Sequence, residues 1–348
     1  METTYSPATE AGAGPVPIIF IPGILGSPLY LPENGKKLWL SANFLKMAER
    51  MAIEYPLDVK NNDINQQMLP PYQREGGHLR KSFIMIDRLC QRFPSRPVYH
   101  FSYDFRQSSE VSADALKQQI DYSLADYSKE VDLICHSMGG LVAAAYIAKY
   151  GFCHIRKIVF LGTPFEGSSL ITKLLITGDI GSTPGSVADF FGLSHNLLMR
   201  YPSVAELLPS DEYLSVYPLY RGSVPFSPQE MYAYFSESMP ETFERSQKFR
   251  RRLHEKVYPL LLKDPRCFFG IGTGKTTLRT LSFDAERSNH ITEIVDDGGD
   301  SEVNSYSATM CGAIEHLGVT RYRLFSSAHS ELLRIDESLH WVFGILAE

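Results

Sequence analysis

The sequence predicts an α/β protein: a mainly parallel sheet with helices on both faces and a large inserted lid. Three observations carry that expectation. Through the first half, short apolar runs bounded by Gly and Pro alternate with amphipathic stretches, the pattern of strands and helices in a parallel sheet. From about Ser168 to Pro265 the rhythm gives way to short apolar clusters, aromatics, Gly and Pro without strand alternation, and beyond it the strand pattern resumes. The expected division is therefore 1–167 for the first part of the core, 168–265 for the lid or cap insertion, and 266–348 for the second part of the core.

Taken in order, Ile18 to Ile21 reads as a buried strand and Val98 to Phe101 as a second. A helix follows, capped by Ser112, with Leu116, Ile120, Leu124 and Tyr127 on one face. Val131 to Cys135 is the next strand, Leu141 to Tyr150 a helix stopped by Gly151, and Lys157 to Leu161 a strand. After the lid, Cys267 to Ile271, Ile291 to Val295 and Arg321 to Phe325 read as further strands, and a helix follows Asp336.

The chain has 348 residues, 44% of them hydrophobic and 21% charged, which suits one core with an insertion. A net charge of -6 supplies no field to attract nucleic acid, and no nucleic-acid partner is expected. Five scattered cysteines without a C-x-x-C pair indicate neither a zinc site nor a disulfide framework, and no metal or cofactor is expected. Met1 to Gly14 is acidic and polar rather than basic then apolar, so a cytoplasmic location is the expectation. No apolar run reaches the length of a membrane span, and membrane surface contact is not indicated.

The chemistry begins at Val131-Asp132-Leu133-Ile134-Cys135-His136-Ser137-Met138-Gly139-Gly140, an apolar strand, a sharp turn carrying Ser, and a small-residue helix start. A serine hydroxyl becomes a useful nucleophile when a strained turn exposes it beside a base, and small flanking residues let strand and helix approach. Ser137 is the expected nucleophile. Cys135 stands where Gly is usual, and His136 reads as a packed neighbour rather than the base. Acyl transfer builds negative charge on a carbonyl oxygen, so backbone N–H donors should face it. Met138 is one, and Ile24 is the other, in the loop Pro22-Gly23-Ile24-Leu25-Gly26-Ser27 that follows the first strand.

An acid and then a base should come later in the chain, each after a late strand. Asp296-Asp297-Gly298-Gly299-Asp300-Ser301-Glu302-Val303 offers several carboxylates, and Asp300 matches Gly-Asp-x-x-Val. Its neighbours Asp296 and Asp297 read as a solvated acidic turn or a weak cation site. His329, just after a late strand, is the expected base; His316 and His340 fall in helix-like stretches, and His290 precedes the acid.

Together these pieces resemble the lecithin:cholesterol acyltransferase family, lipases, phospholipases and acyltransferases of the α/β-hydrolase fold. The resemblance spans nearly the whole chain. It rests on the loop at Pro22 to Ser27, Leu38-Trp39, Tyr103-Asp104-Phe105-Arg106, His136 to Gly140, Gly162-Thr163-Pro164-Phe165-Glu166-Gly167-Ser168, Val204-Ala205-Glu206-Leu207-Leu208-Pro209, Gly299-Asp300 and His329. Where the family has Gly-Asp-Gly-Thr-Val, this chain reads Gly-Asp-Ser-Glu-Val. The resemblance implies that Trp39 touches the acyl group or a membrane; a core aromatic is the equal alternative.

Gly270-Ile271-Gly272-Thr273-Gly274-Lys275 looks like a phosphate loop, but its first Gly is misplaced by one residue, and a strand-end loop is expected. The basic run Arg245 to Lys256 reads as a solvated helix face. The lid's Leu170, Leu174, Leu175, Phe190, Phe191, Leu197, Tyr213, Tyr217, Phe226, Tyr232, Tyr234 and Phe235 could line a pocket for a hydrophobic ester, or be consumed in the lid's own core. The expected function is a serine esterase/lipase-type hydrolase or O-acyltransferase, the acceptor being water or an alcohol. The alternative is a catalytically silent protein of the same fold that binds a hydrophobic ligand.

Overall fold

Alternating side chains along the first strand set the two layers of the core. Ile18 and Phe20 pack with Met85, Ile86 and Leu89 on one side, while Ile19 and Ile21 pack with Leu116 and Ala144 on the other. The structure, a computed structural model, describes residues 14–39, 50–60, 77–124, 128–177, 195–283 and 291–348.

The first half runs β1 (Ile18–Ile21), α1 (Gly77–Arg92), β2 (Val98–His100), α2 (Ser109–Leu124), β3 (Val131–His136), α3 (Gly139–Tyr150) and β4 (Ile155–Leu161). The segment that follows carries α4 (Ser169–Thr177), α5 (His195–Leu198), α6 (Pro202–Glu206), α7 (Asp211–Val216), β5 (Tyr220–Arg221), β6 (Val224–Pro225), α8 (Pro228–Ser238), α9 (Phe243–Arg252), a π-helical turn (Leu253–Val257) and α10 (Tyr258–Lys263). The chain closes with β7 (Cys267–Thr273), β8 (Lys275–Phe283), β9 (Ile291–Gly299), α11 (Ser305–Ala308), α12 (Ala313–His316), β10 (Tyr322–Ser326), a 3-10 turn (His329–Leu333) and α13 (Asp336–Ala347).

Among the described residues the central sheet has six strands in the order β10-β7-β4-β3-β1-β2, every pair parallel. α2 and α3 cover one face, α1 and α13 the other, as Leu339, Val342 and Ile345 join the cluster of Ile18 and Phe20. From β1 the chain steps outward to β2, then crosses to β3 and grows in the opposite direction through β4, β7 and β10. Strand order therefore reverses at β1 and β3, and open parallel sheets place their sites in the crevice at the carboxyl ends of such strands.

Two expectations differ from the structure. Ser108, not Ser112, caps α2: its hydroxyl accepts the Glu110 N–H at 3.1 Å, and Tyr127 lies outside the described residues. The strand at Ile291 does not rejoin the central sheet. Only seven residues separate β8 from β9, too few for a parallel crossover, so the two pair antiparallel. β8 in turn pairs with β5, giving a second sheet, β6-β5-β8-β9, that combines the inserted segment with chain assigned above to the second part of the core. The phosphate-loop lookalike is the β7–β8 junction, turned at Gly274 with φ +72°. Gly tolerates that left-handed geometry without a Cβ penalty.

Candidate active site

β3 ends on the turn that carries Ser137. This serine has φ +54°, a left-handed conformation uncommon outside Gly, and its N–H donates to the Leu161 carbonyl at 2.9 Å. The turn is possible because α3 comes very close. A Cβ on Gly139 would lie 2.4 Å from the Ile21 carbonyl oxygen, and one on Gly140 would lie 2.1 Å from Thr163 Oγ1. Cys135 is accommodated inside β3, fully buried between Ile21 and Phe160. Burial pushes its thiol well above the ordinary range, which keeps it from competing as a thiolate nucleophile.

The loop after β1 lies directly against this serine. A Cβ on Gly23 would sit 2.7 Å from Ser137 Cβ, and the Gly26 N–H closes the loop on the Gly23 carbonyl at 3.1 Å. Leu25 takes φ +69°, and its carbonyl accepts the Trp39 indole N–H at 3.0 Å. Tyr103 holds the other flank, donating its hydroxyl to the Pro22 carbonyl at 2.8 Å and its N–H to Ser27 Oγ at 3.1 Å. Among the described residues neither the Ile24 nor the Met138 amide donates to a protein acceptor, and Ile24 lines the cleft at Ser137. Trp39 is buried against Phe105 and supports this loop; it does not line the cleft at Ser137.

Asp300 and His329 are brought together beside it. His329 Nδ1 lies 2.7 Å from Asp300 Oδ2, and the two side chains are 3% and 1% exposed. The other carboxylate oxygen of Asp300 accepts the Val303 N–H at 2.7 Å and the Glu302 N–H at 3.1 Å. Gly272 makes room for the acid, since a Cβ there would lie 2.5 Å from Asp300 Cβ. Gly162, at φ +58°, does the same for the imidazole, with a Cβ position 3.1 Å from the His329 ring.

The rival residues have other occupations. Asp296 accepts from the Gly298 N–H at 2.9 Å and from Asn304 at 3.1 Å, and Asp297 accepts from Thr276 at 2.9 Å. His316 and His340 are exposed, and His290 lies outside the described residues. His136 packs its ring 4.8 Å from that of His329, as a neighbour. Burial pushes His100 down to about 4, which keeps it neutral behind the loop.

Ser137 and His329 share a narrow cleft with Gly23, Ile24, Glu302 and Leu333. Glu302 was missed by the sequence reasoning: its Oε2 lies 4.0 Å from His329 Nε2. The only signal for it was the acidic residue where the resembled family has Thr. The lid side chains expected to line a pocket do not line this one. Leu174, Tyr213 and Phe235 are buried in packing, Tyr232 is exposed, and Phe190 and Phe191 lie outside the described residues.

Two other quoted motifs are structural here. Buried Arg106 donates to Asp104 at 2.7 Å and to the Ala52 and Tyr55 carbonyls at 2.7 and 3.0 Å. Glu206, on α6, accepts the Ser109 N–H at 2.9 Å and so ties the inserted segment to the start of α2.

The switch-point crevice, the strained serine turn and the sheet order define an α/β-hydrolase fold. Residues 93–233 match the family model described as lecithin:cholesterol acyltransferase, in agreement with the resemblance read from the sequence motifs. Among curated proteins, the chain is 23% identical over 236 residues to "Phospholipase A(1) LCAT3" of Arabidopsis thaliana, covering 57% of this chain and 53% of that one. It is 29% identical over 229 residues to "Lecithin-cholesterol acyltransferase-like 4" of the same organism, covering 55% and 42%. The chain thus spans about half of these relatives' length. Among solved structures, the one titled "The crystal structure of Tle4-Tli4 complex" superposes with a TM-score of 0.73 at 15% identity, over 97% of this chain and 99% of that one.

Proposed function

We propose that the protein is a serine-dependent enzyme that cleaves or transfers the acyl group of a lipid-like ester. The observation that carries this reading is the buried Asp300–His329 pair, 2.7 Å apart, opening onto the same cleft as Ser137. The match to the acyltransferase family and the likeness to a phospholipase support a lipid acyl substrate.

In this mechanism Ser137 Oγ attacks the ester carbonyl while His329 takes the hydroxyl proton through Nε2. Asp300 holds Nδ1–H, fixing the tautomer and stabilising the imidazolium. The oxyanion is met by the Ile24 and Met138 N–H groups, each worth about 3 kcal/mol in such a role. His329 returns the proton to the departing alcohol, leaving the acyl group on Ser137. Water or a second alcohol then resolves the acyl-enzyme through the same base.

Trp39 acts through the loop at Leu25 rather than by touching the acyl chain. Among the described residues no helix is long and apolar enough to cross a membrane.

The reading is tested by incubating the protein with p-nitrophenyl esters, phospholipids and macrocyclic esters, with and without added alcohol. Turnover of at least one class should be lost about 10⁵-fold in Ser137→Ala. Formation of a new ester at high alcohol identifies acyl transfer, and its absence identifies hydrolysis. Activity retained by Ser137→Ala overturns the reading.

A further inference from the structure

Glu166, Glu212 and His254 meet away from the cleft, where the loop after β4 touches the inserted segment. His254 Nε2 lies 2.7 Å from Glu166 Oε2 and 3.3 Å from Glu212 Oε2. One ligand-type atom from each of the three falls within 4.8 Å of the others. Glu166 is completely buried, and its second oxygen, Oε1, has no hydrogen-bond partner among the described residues. A buried carboxylate oxygen without a donor is costly, and such groups are normally satisfied by a protein partner, a water or an ion. His254 is also carried on the π-helical turn Leu253–Val257, a local widening of helix that recurs at functional sites.

We propose that Glu166, Glu212 and His254 form a binding site for a divalent transition metal of the zinc class, with water completing the coordination. An imidazole nitrogen and two carboxylates are a borderline donor set that suits zinc, whereas magnesium and calcium prefer oxygen alone. The geometry is close to what zinc needs. Tetrahedral coordination with bonds of about 2.0–2.1 Å sets ligand atoms roughly 3.3 Å apart. The Glu212–His254 separation already has that value, and the Glu166–His254 contact must open from 2.7 Å.

Two carboxylates balance the charge of a divalent ion. The nearby cation Arg250 donates to the Phe165 and Glu206 carbonyl oxygens. The metal would replace the hydrogen bond between His254 and Glu166, and its binding would weaken in acid because a metal takes only the deprotonated forms of these ligands. Glu166 belongs to the loop that leaves the central sheet, while Glu212 and His254 belong to the inserted segment. A bound ion would therefore pin that segment to the core.

Zinc chloride titrated calorimetrically into chelator-treated full-length protein tests this, alongside thermal unfolding with zinc or magnesium chloride. The expected result is one equivalent of zinc bound at micromolar or tighter Kd, a higher Tm with zinc, and no such response to magnesium. Glu212→Ala and His254→Gln should each weaken zinc binding at least tenfold. Glu212 is half exposed, so its loss leaves the metal-free Tm close to that of the parent. Absence of stoichiometric binding, or binding unchanged in either variant, overturns the proposal. The readout needs no turnover, so failure here is separate from failure of the ester-cleaving reading.

Discussion

His329 is tied to Asp300 twice: its Nδ1 lies 2.7 Å from the carboxylate, and its backbone N–H donates to the Asp300 carbonyl, also at 2.7 Å. The double tie fixes the ring plane as well as the tautomer. In the proposed mechanism the base would thus be oriented before substrate binds, the condition under which proton transfer in the transition state is efficient.

Asp300→Asn tests that orientation. Asparagine keeps the acceptor for the Val303 and Glu302 N–H groups, so the loop should hold and Tm should change little. It permits the wrong imidazole tautomer, and kcat should fall by about 10³- to 10⁴-fold. Steady-state kinetics beside a melting curve checks both; unchanged kcat would remove Asp300 from the proposed mechanism.

Glu302→Gln tests the second carboxylate on the other side of the ring. Its Oε2 lies 4.0 Å from Nε2, in the cleft that Ser137 shares. Glutamine keeps the shape and removes a charge that would stabilise an imidazolium formed in the transition state. kcat/KM should fall by roughly fivefold, the equivalent of about 1 kcal/mol at 4 Å in water-like surroundings, with Tm close to the parent's. Unchanged kcat/KM contradicts this.

Gly272→Ala tests close packing behind the acid. The new methyl would stand 2.5 Å from Asp300 Cβ and must displace it. An ångström of displacement in a catalytic group costs about 10² in rate. The expected signature is a fall in kcat much larger than any change in KM.

Glu206→Gln tests a stability switch remote from the chemistry. Burial raises the Glu206 carboxyl from 4.5 to about 7. A raised carboxyl favours folding fully below about 4.5, and that contribution is lost as pH rises through about 7. Ionisation at pH 8 should thus cost the parent up to about 3 kcal/mol that glutamine avoids. Melting curves should show the variant more stable than the parent at pH 8 and the two nearly equal at pH 4.5.

Much of this was legible in the sequence because close approach leaves composition marks. Gly139 and Gly140 had to be glycine for α3 to reach Ile21 and Thr163, and an apolar strand just before Ser137 supplied the context. Asp300 was legible for an incomplete reason. It was placed by chain order after a late central strand, whereas β9 belongs to the second, antiparallel sheet. The bridge from Asp300 to Lys275 stays within that second sheet, and the acid reaches the central sheet through its packing on Gly272 of β7. That return path depends on tertiary pairing, which local periodicity does not encode. Glu302 was illegible for a different reason: an acidic residue in an acidic turn looks solvated until His329 is placed beside it. The apolar side chains of the segment expected to form a lid could be named but not assigned, since apolar residues read the same whether they line a pocket or fill a core.

The central claim is that Ser137 is the activated nucleophile. Labelling the protein with a fluorophosphonate and mapping the modified peptide tests it most directly. The account predicts one equivalent of label on Ser137, greatly slowed in His329→Gln and absent in Ser137→Ala. A well-folded protein that takes no label, or takes it on another residue, would contradict the account.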